Sequence, residues 1–417
     1  MSEAKNNSAG MPLGVDDIRL AAKIIKDRVV RTPAIFSDKI SEISGARVVL
    51  KLENMQHTGS FKPRGALVKL LSLRDEGVPS GVIAASAGNH AQGVAYHARA
   101  LGIPATIVMP LGTPFTKIAR TEALGAKTVL YGEGLAESRD HAIEIAKKES
   151  LSFIHPYDDI SIISGQGTIG LEMMEDFPDL DAIIVPIGGG GLISGIAIAA
   201  KAINPKIKVY GVEAELYPGM SNILKGLEPS GGGQTIAEGI AVKAPGELNR
   251  VIASRLIDDV FLVSESELEL AIQMYLETQR IVTEGAGAAS LAALISNQEI
   301  FKGLKVGLVV SGGNIDSRVL ASALMRGLVR EGRLVRLRIK ITDQPGVLAK
   351  VSGLIGKEGA NIIEVYHQRL FYDLPIKEAD MDVVVETMDI KHVERLIGAL
   401  NNAGFPTRLM GSRSDDI

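Results

Sequence analysis

The sequence predicts an α/β protein on three observations. Short apolar runs alternate with longer amphipathic stretches, several runs end directly in small-residue turns, and 45 glycines stand against 4% aromatic residues with no tryptophan. Runs of four to eight apolar residues bounded by turn signals read as buried strands, and intervening stretches with apolar spacing of three and four read as helices. Repeated strand-helix units imply mainly parallel sheets, whose ligands gather at the carboxyl ends of the strands.

In chain order the strands are ARVVLKLE (46–53), GVIAAS (81–86), PATIVM (104–109), KTVLY (127–131), AIIVPI (182–187), KVYGVEA (208–214), DDVFLVS (258–264) and KVGLVV (305–310). Between them, AQGVAYHARALG (91–102) and LISGIAIAAKAI (192–203) carry the helical spacing. After about residue 325 the texture changes: RLVRLRIKIT alternates apolar and polar residues, as an antiparallel strand with one solvated face does. A strand at 333–342, helix 346–358, strands 361–370 and 380–387, helix 390–402 and a short strand near 405–410 give βαββαβ, a ferredoxin-like plan. The patch EPSGGGQ (228–234) reads as an exposed loop, and the tails 1–13 and 411–417 as mobile.

A length of 417 residues suggests two or three packed units, and 46% hydrophobic with 23% charged residues is ordinary globular usage. A net charge of −4 without a basic run leaves no footprint for nucleic acid or an anionic membrane, so the ligand is expected to be a small molecule. The absence of cysteine excludes disulfides, thiolate metal sites and cysteine nucleophiles. MSEAKNNSAGMPLG lacks a basic segment leading into an apolar one, and no run of 18 uncharged apolar residues follows, so a soluble cytoplasmic protein is expected.

Gly165, Gly167 and Gly170 satisfy GxGxxG, but PYDDISIIS before them is no buried strand and no acidic residue lies near twenty positions on, so nucleotide binding is not expected there. Gly188 to Leu192 (GGGGL) is stronger, because it joins a strand to a helix. Bare main-chain N–H groups at a helix start suit a phosphate; the alternative is a tight turn, for which two glycines would serve. In TGSFKPRG (58–65), Lys62 stands before a proline at a helix start, where dipole and burial both depress an amine pKa and favour Schiff-base chemistry, while Arg64 reads as a charge partner on the helix surface. Ser86-Ala87-Gly88-Asn89-His90 follows one strand and opens a helix, so its amides can hold a carboxylate, or Asn89 can merely cap. Ser311-Gly312-Gly313-Asn314 ends a further strand in the same way.

GSFKPRGA, SAGNHAQG, GGGGL and SGGN in this order resemble the fold-type II pyridoxal-phosphate enzymes, of the tryptophan synthase β-like two-lobed plan, and within them the threonine dehydratases (threonine ammonia-lyases). The resemblance covers about residues 14–325 and implies a catalytic domain over 1–325, with a smaller lobe at about 54–155. It implies that Lys62 carries the cofactor as a Schiff base and serves as base and acid at the substrate Cα, with Phe61 beside it. Asn89 would bond the phenolic oxygen, while Gly188, Gly189, Gly190, Gly191 and Leu192 bind the phosphate. Ser311 would face the pyridine nitrogen, Gly239 leave room against the ring, and Ser86, Ala87, Gly88, Asn89 and His90 receive the substrate carboxylate. A neutral hydroxyl at Ser311 favours elimination over racemisation, giving 2-oxobutanoate and ammonia from threonine, with serine reacting likewise to pyruvate.

Related serine racemases carry a second serine where this chain has Ala87, which argues against a racemase. Their metal site starts at a glutamate resembling Glu213, but its later acidic position falls here on Gly219, so no metal is expected and Glu213 reads as a structural acceptor. The segment ITDQPGVLAKVSGLIGKEGANI resembles an ACT domain, over about 330–410. That resemblance implies an effector site at Asp343, Gln344, Gly346, Val347, Leu348 and Asn361, with a branched-chain amino acid binding between modules of a homodimer or homotetramer. Two alternatives stay open: a catalytically silent amino-acid sensor, and another β-eliminating enzyme such as a serine or diaminopropionate lyase.

Overall fold

The computed structural model describes residues 11–77, 80–368 and 378–411. The expectations for residues 1–10 and 412–417, and for the end of the strand at 361–370, lie outside them. Two compact units divide the chain, 1–316 and 317–417.

The first unit holds two sheets. One contains β1 (Ala34–Phe36), β2 (Arg47–Leu52), β7 (Ala182–Pro186), β8 (Lys208–Ala214), β9 (Asp259–Val263) and β10 (Lys305–Val310) in the order β1-β2-β10-β7-β8-β9. All its neighbours run parallel except the edge pair β1 and β2. The other contains β3 (Val82–Ala85), β4 (Ala105–Met109), β5 (Lys127–Leu130) and β6 (Ser152–Phe153), all parallel, in the order β5-β4-β3-β6. All eight expected strands are present. β1 and β6 were not expected, because two or three residues are too short to show a period.

Strands β3 and β7 are apolar and wholly buried, and β2 and β10 are buried apart from the exposed Arg47, with Lys51 and Lys305 as their charged buried residues, as strands covered by helices on both faces are. Val49, Ile183, Val185, Ile193, Ile196 and Val209 belong to the core of the larger sheet, and Ala84, Val94, Ile107 and Leu70 to that of the smaller. The GxGxxG glycines lie inside the helix Ile160–Asp176. A Cβ on Gly165 would come 2.5 Å from Gly65 Cα, and one on Gly170 would come 2.9 Å from the Ile196 carbonyl. The motif therefore lets three helices touch backbone to backbone.

The second unit begins with the helix Ser317–Arg330 and continues as β11 (Leu334–Thr342), a helix Val347–Lys357, β12 (Asn361–Gln368), β13 (Glu378–Glu386), a helix Ile390–Asn402 and β14 (Thr407–Leu409). Its antiparallel sheet, in the order β12-β13-β11-β14, has the expected βαββαβ connection. One face packs Leu337, Ile339, Met381 and Val383 against Val351, Ile355, Leu396 and Leu400 of the helices. Among the described residues no helix is long and apolar enough to cross a membrane.

Candidate active site

A cavity of about 300 Å³ opens in the first unit where the turns after β3, β7 and β10 come together. Lys62 is the first residue of the helix Lys62–Asp75, with Pro63 setting the next φ. The segment before it is fastened to the Ser311 turn: the Phe61 N–H donates to the Ser311 carbonyl at 3.1 Å, and Ser60 pairs with Gly312 as an isolated bridge. Lys62 Nζ donates to the Pro156 carbonyl at 2.9 Å and lies 5.0 Å from the centre of the Phe61 ring. Burial pushes this amine down to about 8, against the opposing pull of the Glu284 carboxylate.

Gly188 to Leu192 joins β7 to the helix Gly191–Ile203, and all five residues line the cavity. The first N–H groups of that helix have no acceptor within it. Each glycine also has a packing reason that the motif did not reveal. A Cβ on Gly189 would fall 2.0 Å from Tyr157 Cγ, and Gly190 has φ +94° with Asn249 where its Cβ would go. Four glycines therefore do not by themselves signal a ligand; a helix start lining a cavity adds the chemistry that an anion needs.

The Ser86–His90 turn leaves β3 and enters the helix Asn89–Leu101. The Gly88 N–H donates to Ser86 Oγ at 3.2 Å, and a Cβ on Gly88 would meet no atom within 4 Å, so this turn faces open space. The His90 ring is engaged by the Ile154 carbonyl at 3.1 Å, and burial beside Lys62 holds its pKa down to about 3, so the ring is neutral. Gly239, in the turn Glu238–Ile240, stands where a Cβ would lie 3.0 Å from Ala286 Cβ. Ser311 is buried at the end of β10.

Three neighbours escaped the sequence reading. Glu284 is half-buried on the cavity wall, burial raises its pKa to about 7, and its Oε1 accepts from Asn89 Nδ2 at 2.7 Å. It precedes the helix Gly285–Ser296, where a single glutamate looks like an ordinary helix-start residue. Tyr157 and Pro156 belong to the same HPYDD stretch that fails as a strand; it is the turn that holds the lysine. Arg64 corrects an expectation. It is fully buried, not a surface partner, and its guanidinium bonds Glu53 at 2.8 and 2.9 Å and Glu172 at 2.6 and 2.9 Å.

Glu213 is a buried acceptor for the Met220 and Ser221 N–H groups at 2.7 and 2.9 Å. In the second unit Gly346 has φ +86° and starts the helix carrying Val347 and the exposed Leu348. The Gln344 N–H donates to the Thr342 carbonyl at 2.9 Å after Asp343, and Asn361 reaches Glu386 at 3.4 Å.

Residues 25–312 match the family of pyridoxal-phosphate dependent enzymes, and residues 335–404 match the ACT domain. The L-threonine ammonia-lyase of Thermotoga maritima is 44% identical over 399 residues, 95% of this chain and 99% of the relative. The processed form of threonine deaminase isoform 2 from Solanum lycopersicum is similar in structure, with TM-score 0.70 and 35% identity over 75% of this chain and 91% of that one. Maize serine racemase gives TM-score 0.70 and 35% identity over 76% of this chain and 98% of its own. The cavity fits a phosphate-bearing aldehyde on its own evidence. It combines a depressed lysine amine, a helix start without side chains, and a volume of about 300 Å³.

Proposed function

For this chain, which belongs to the pyridoxal-phosphate dependent enzymes and carries an ACT domain, we propose deamination of L-threonine to 2-oxobutanoate and ammonia by β-elimination of water. L-serine would give pyruvate in the same way, since one missing methyl changes discrimination by about 1–3 kcal/mol. The observation that carries the reading is the Lys62 amine, depressed to about 8 and directed into the cavity beside the Gly188–Leu192 helix start.

Pyridoxal phosphate, when bound, supplies the electron sink that makes the substrate Cα proton removable. Lys62 anchors it, and an amine pKa near 8 leaves enough free base near neutrality to accept the Cα proton. The amides of Gly188, Gly189, Gly190, Gly191 and Leu192 hold the phosphate, helped by the helix dipole. Asn89 would donate to the phenolic oxygen, Ser311 would present a hydroxyl to the ring nitrogen, and Phe61 and Gly239 would bound the ring, all four lining the cavity. A neutral hydroxyl at Ser311 would not hold that nitrogen protonated as a carboxylate would, which would favour elimination over racemisation. The Ser86–His90 turn receives the substrate carboxylate through main-chain N–H groups. His90 stays neutral and adds no charge.

The ACT domain binds a branched-chain amino acid at Asp343, Gln344, Gly346, Val347, Leu348 and Asn361, between modules of a cytoplasmic homodimer or homotetramer. The test is 2-oxobutanoate release from L-threonine by the purified chain supplied with pyridoxal phosphate. Rapid release supports the reading. Bound cofactor without release from threonine would overturn the substrate assignment, and isoleucine binding without any cofactor uptake would favour a silent sensor.

A further inference from the structure

We infer that Asn314 and Glu284 clamp the Asn89 amide in one orientation, so that an N–H of Asn89, and not its oxygen, is presented to the ligand in the cavity. The inference rests on reading this cavity as the pyridoxal-phosphate site.

Three hydrogen bonds form a chain across four turns. Asn314 Nδ2 donates to the Thr58 carbonyl at 2.6 Å and to Asn89 Oδ1 at 2.8 Å, and Asn89 Nδ2 donates to Glu284 Oε1 at 2.7 Å. The Thr58 end sets the direction of the whole chain. A backbone carbonyl can only accept, so the NH2 group of Asn314 must face Thr58. The remaining N–H of that group then requires an acceptor from Asn89, which turns the Asn89 oxygen toward Asn314. The Asn89 NH2 group is left facing Glu284, whose Oε1 accepts from it. One Asn89 N–H is spent there and one remains for the cavity that Asn89 lines. Reversing the amide would set NH2 against NH2 at Asn314 and oxygen against oxygen at Glu284.

The backbone is shaped for this chain of bonds. Thr58 has φ +61°, unusual for a residue with a side chain, which is consistent with its carbonyl being held at Asn314. Gly59 follows at φ +72°, and a Cβ there would fall 2.8 Å from Asn314 Oδ1. The Gly313 N–H donates to the Gly59 carbonyl at 2.9 Å and fastens the two turns together. Asn314 and Glu284 are thus positioning residues, acting through Asn89.

Asn314→Asp keeps size and shape but replaces the donor by an acceptor, which reverses Asn89. In equilibrium titrations of the full chain with pyridoxal phosphate, this variant should bind about tenfold or more weakly, the loss of one charge-assisted hydrogen bond. The visible absorption maximum of the bound cofactor should also move. A double-mutant cycle separates this from misfolding. Gln at 284 can donate to a reversed Asn89, so Glu284→Gln should raise the melting temperature more in the Asn314→Asp background than alone, while affinity stays low. Wild-type affinity and spectrum in Asn314→Asp would overturn the clamp, and so would recovery of affinity together with stability in the double variant. Failure of the wild-type chain to take up pyridoxal phosphate would instead overturn the cofactor reading beneath it.

Discussion

Two cations stand two residues apart in the first turn of one helix, both withdrawn from bulk water, and their surroundings drive them in opposite directions. Arg64 also donates to Thr168 Oγ1 at 3.1 Å and the Val30 carbonyl at 3.3 Å, and its two carboxylate partners, Glu53 and Glu172, raise its pKa further above its ordinary value despite burial. Its partner Glu172, also paired with Lys51 at 2.5 Å, is held below the usual carboxylate range by those cations. Lys62 has a neutral carbonyl at 2.9 Å and, farther off, a Glu284 whose own pKa is raised to about 7, so burial wins and the amine falls to about 8. Burial alone therefore does not make a reactive group. What distinguishes the two sites is whether the neighbours cancel the charge: Arg64 ties the helix start to Glu53 and Glu172, while Lys62 has no carboxylate bonded to it among the described residues.

The largest expected effect is on turnover. Lys62→Met should lower threonine deamination by at least about a thousandfold, because anchoring and proton transfer fall on one amine; activity within tenfold of wild type would remove Lys62 from its assigned role. Next is Arg64→Met, which leaves Glu53 and Glu172 partly uncompensated and should cost about 3–5 kcal/mol in urea unfolding. That cost belongs to ionised carboxylates: Glu172, with its lowered pKa, contributes stability above the ordinary carboxylate range and loses it as pH falls through its own value. A neutral outcome near pH 7 would mean that the cluster is not what orders the helix start.

Gly189→Ala drives a methyl into the Tyr157 ring and should cost about 1–3 kcal/mol, with weakened cofactor binding as the turn shifts. Unchanged affinity in the same titration would show that the turn tolerates displacement.

The smallest effects sharpen the contrast in sign. In the cofactor-free protein Lys62→Met should raise the melting temperature by a few degrees at pH 7. The folded pKa of about 8 lies below the ordinary 10.5, so the charged amine is a penalty below pH 8 that fades as pH rises toward 10.5. Glu284→Gln should stabilise in the opposite window. The folded pKa of about 7 exceeds the ordinary 4.5, so its benefit is full above pH 7 and vanishes as pH falls to about 4.5. Melting curves across pH that show either gain in the other's window would refute the assigned protonation.

The local patterns were legible because they depend on neighbours in the chain. Eight strands, the βαββαβ plan of the second unit, the Lys62 helix start and the strand-ending turns all follow from periodicity, proline and glycine placement. Asn89, Gly188 to Leu192, Ser311 and Lys62 line one cavity because the carboxyl ends of parallel strands lie together, which the strand-helix alternation already implied.

Other features belong to residues far apart in sequence. Arg64 was misread as a surface charge because its partners lie 11 and 108 positions away, and no periodicity reports a carboxylate pair at that distance. The GxGxxG run, where no nucleotide site is expected, is a helix-crossing surface, decided by Gly65 and Ile196 on other helices. Glu284 became visible only where it meets Asn89, 195 residues earlier. Sequence determined which residue types stand at helix starts and strand ends. The tertiary structure decided their charge states, because the energy of a buried ion depends on what touches it in space and not on what precedes it in the chain.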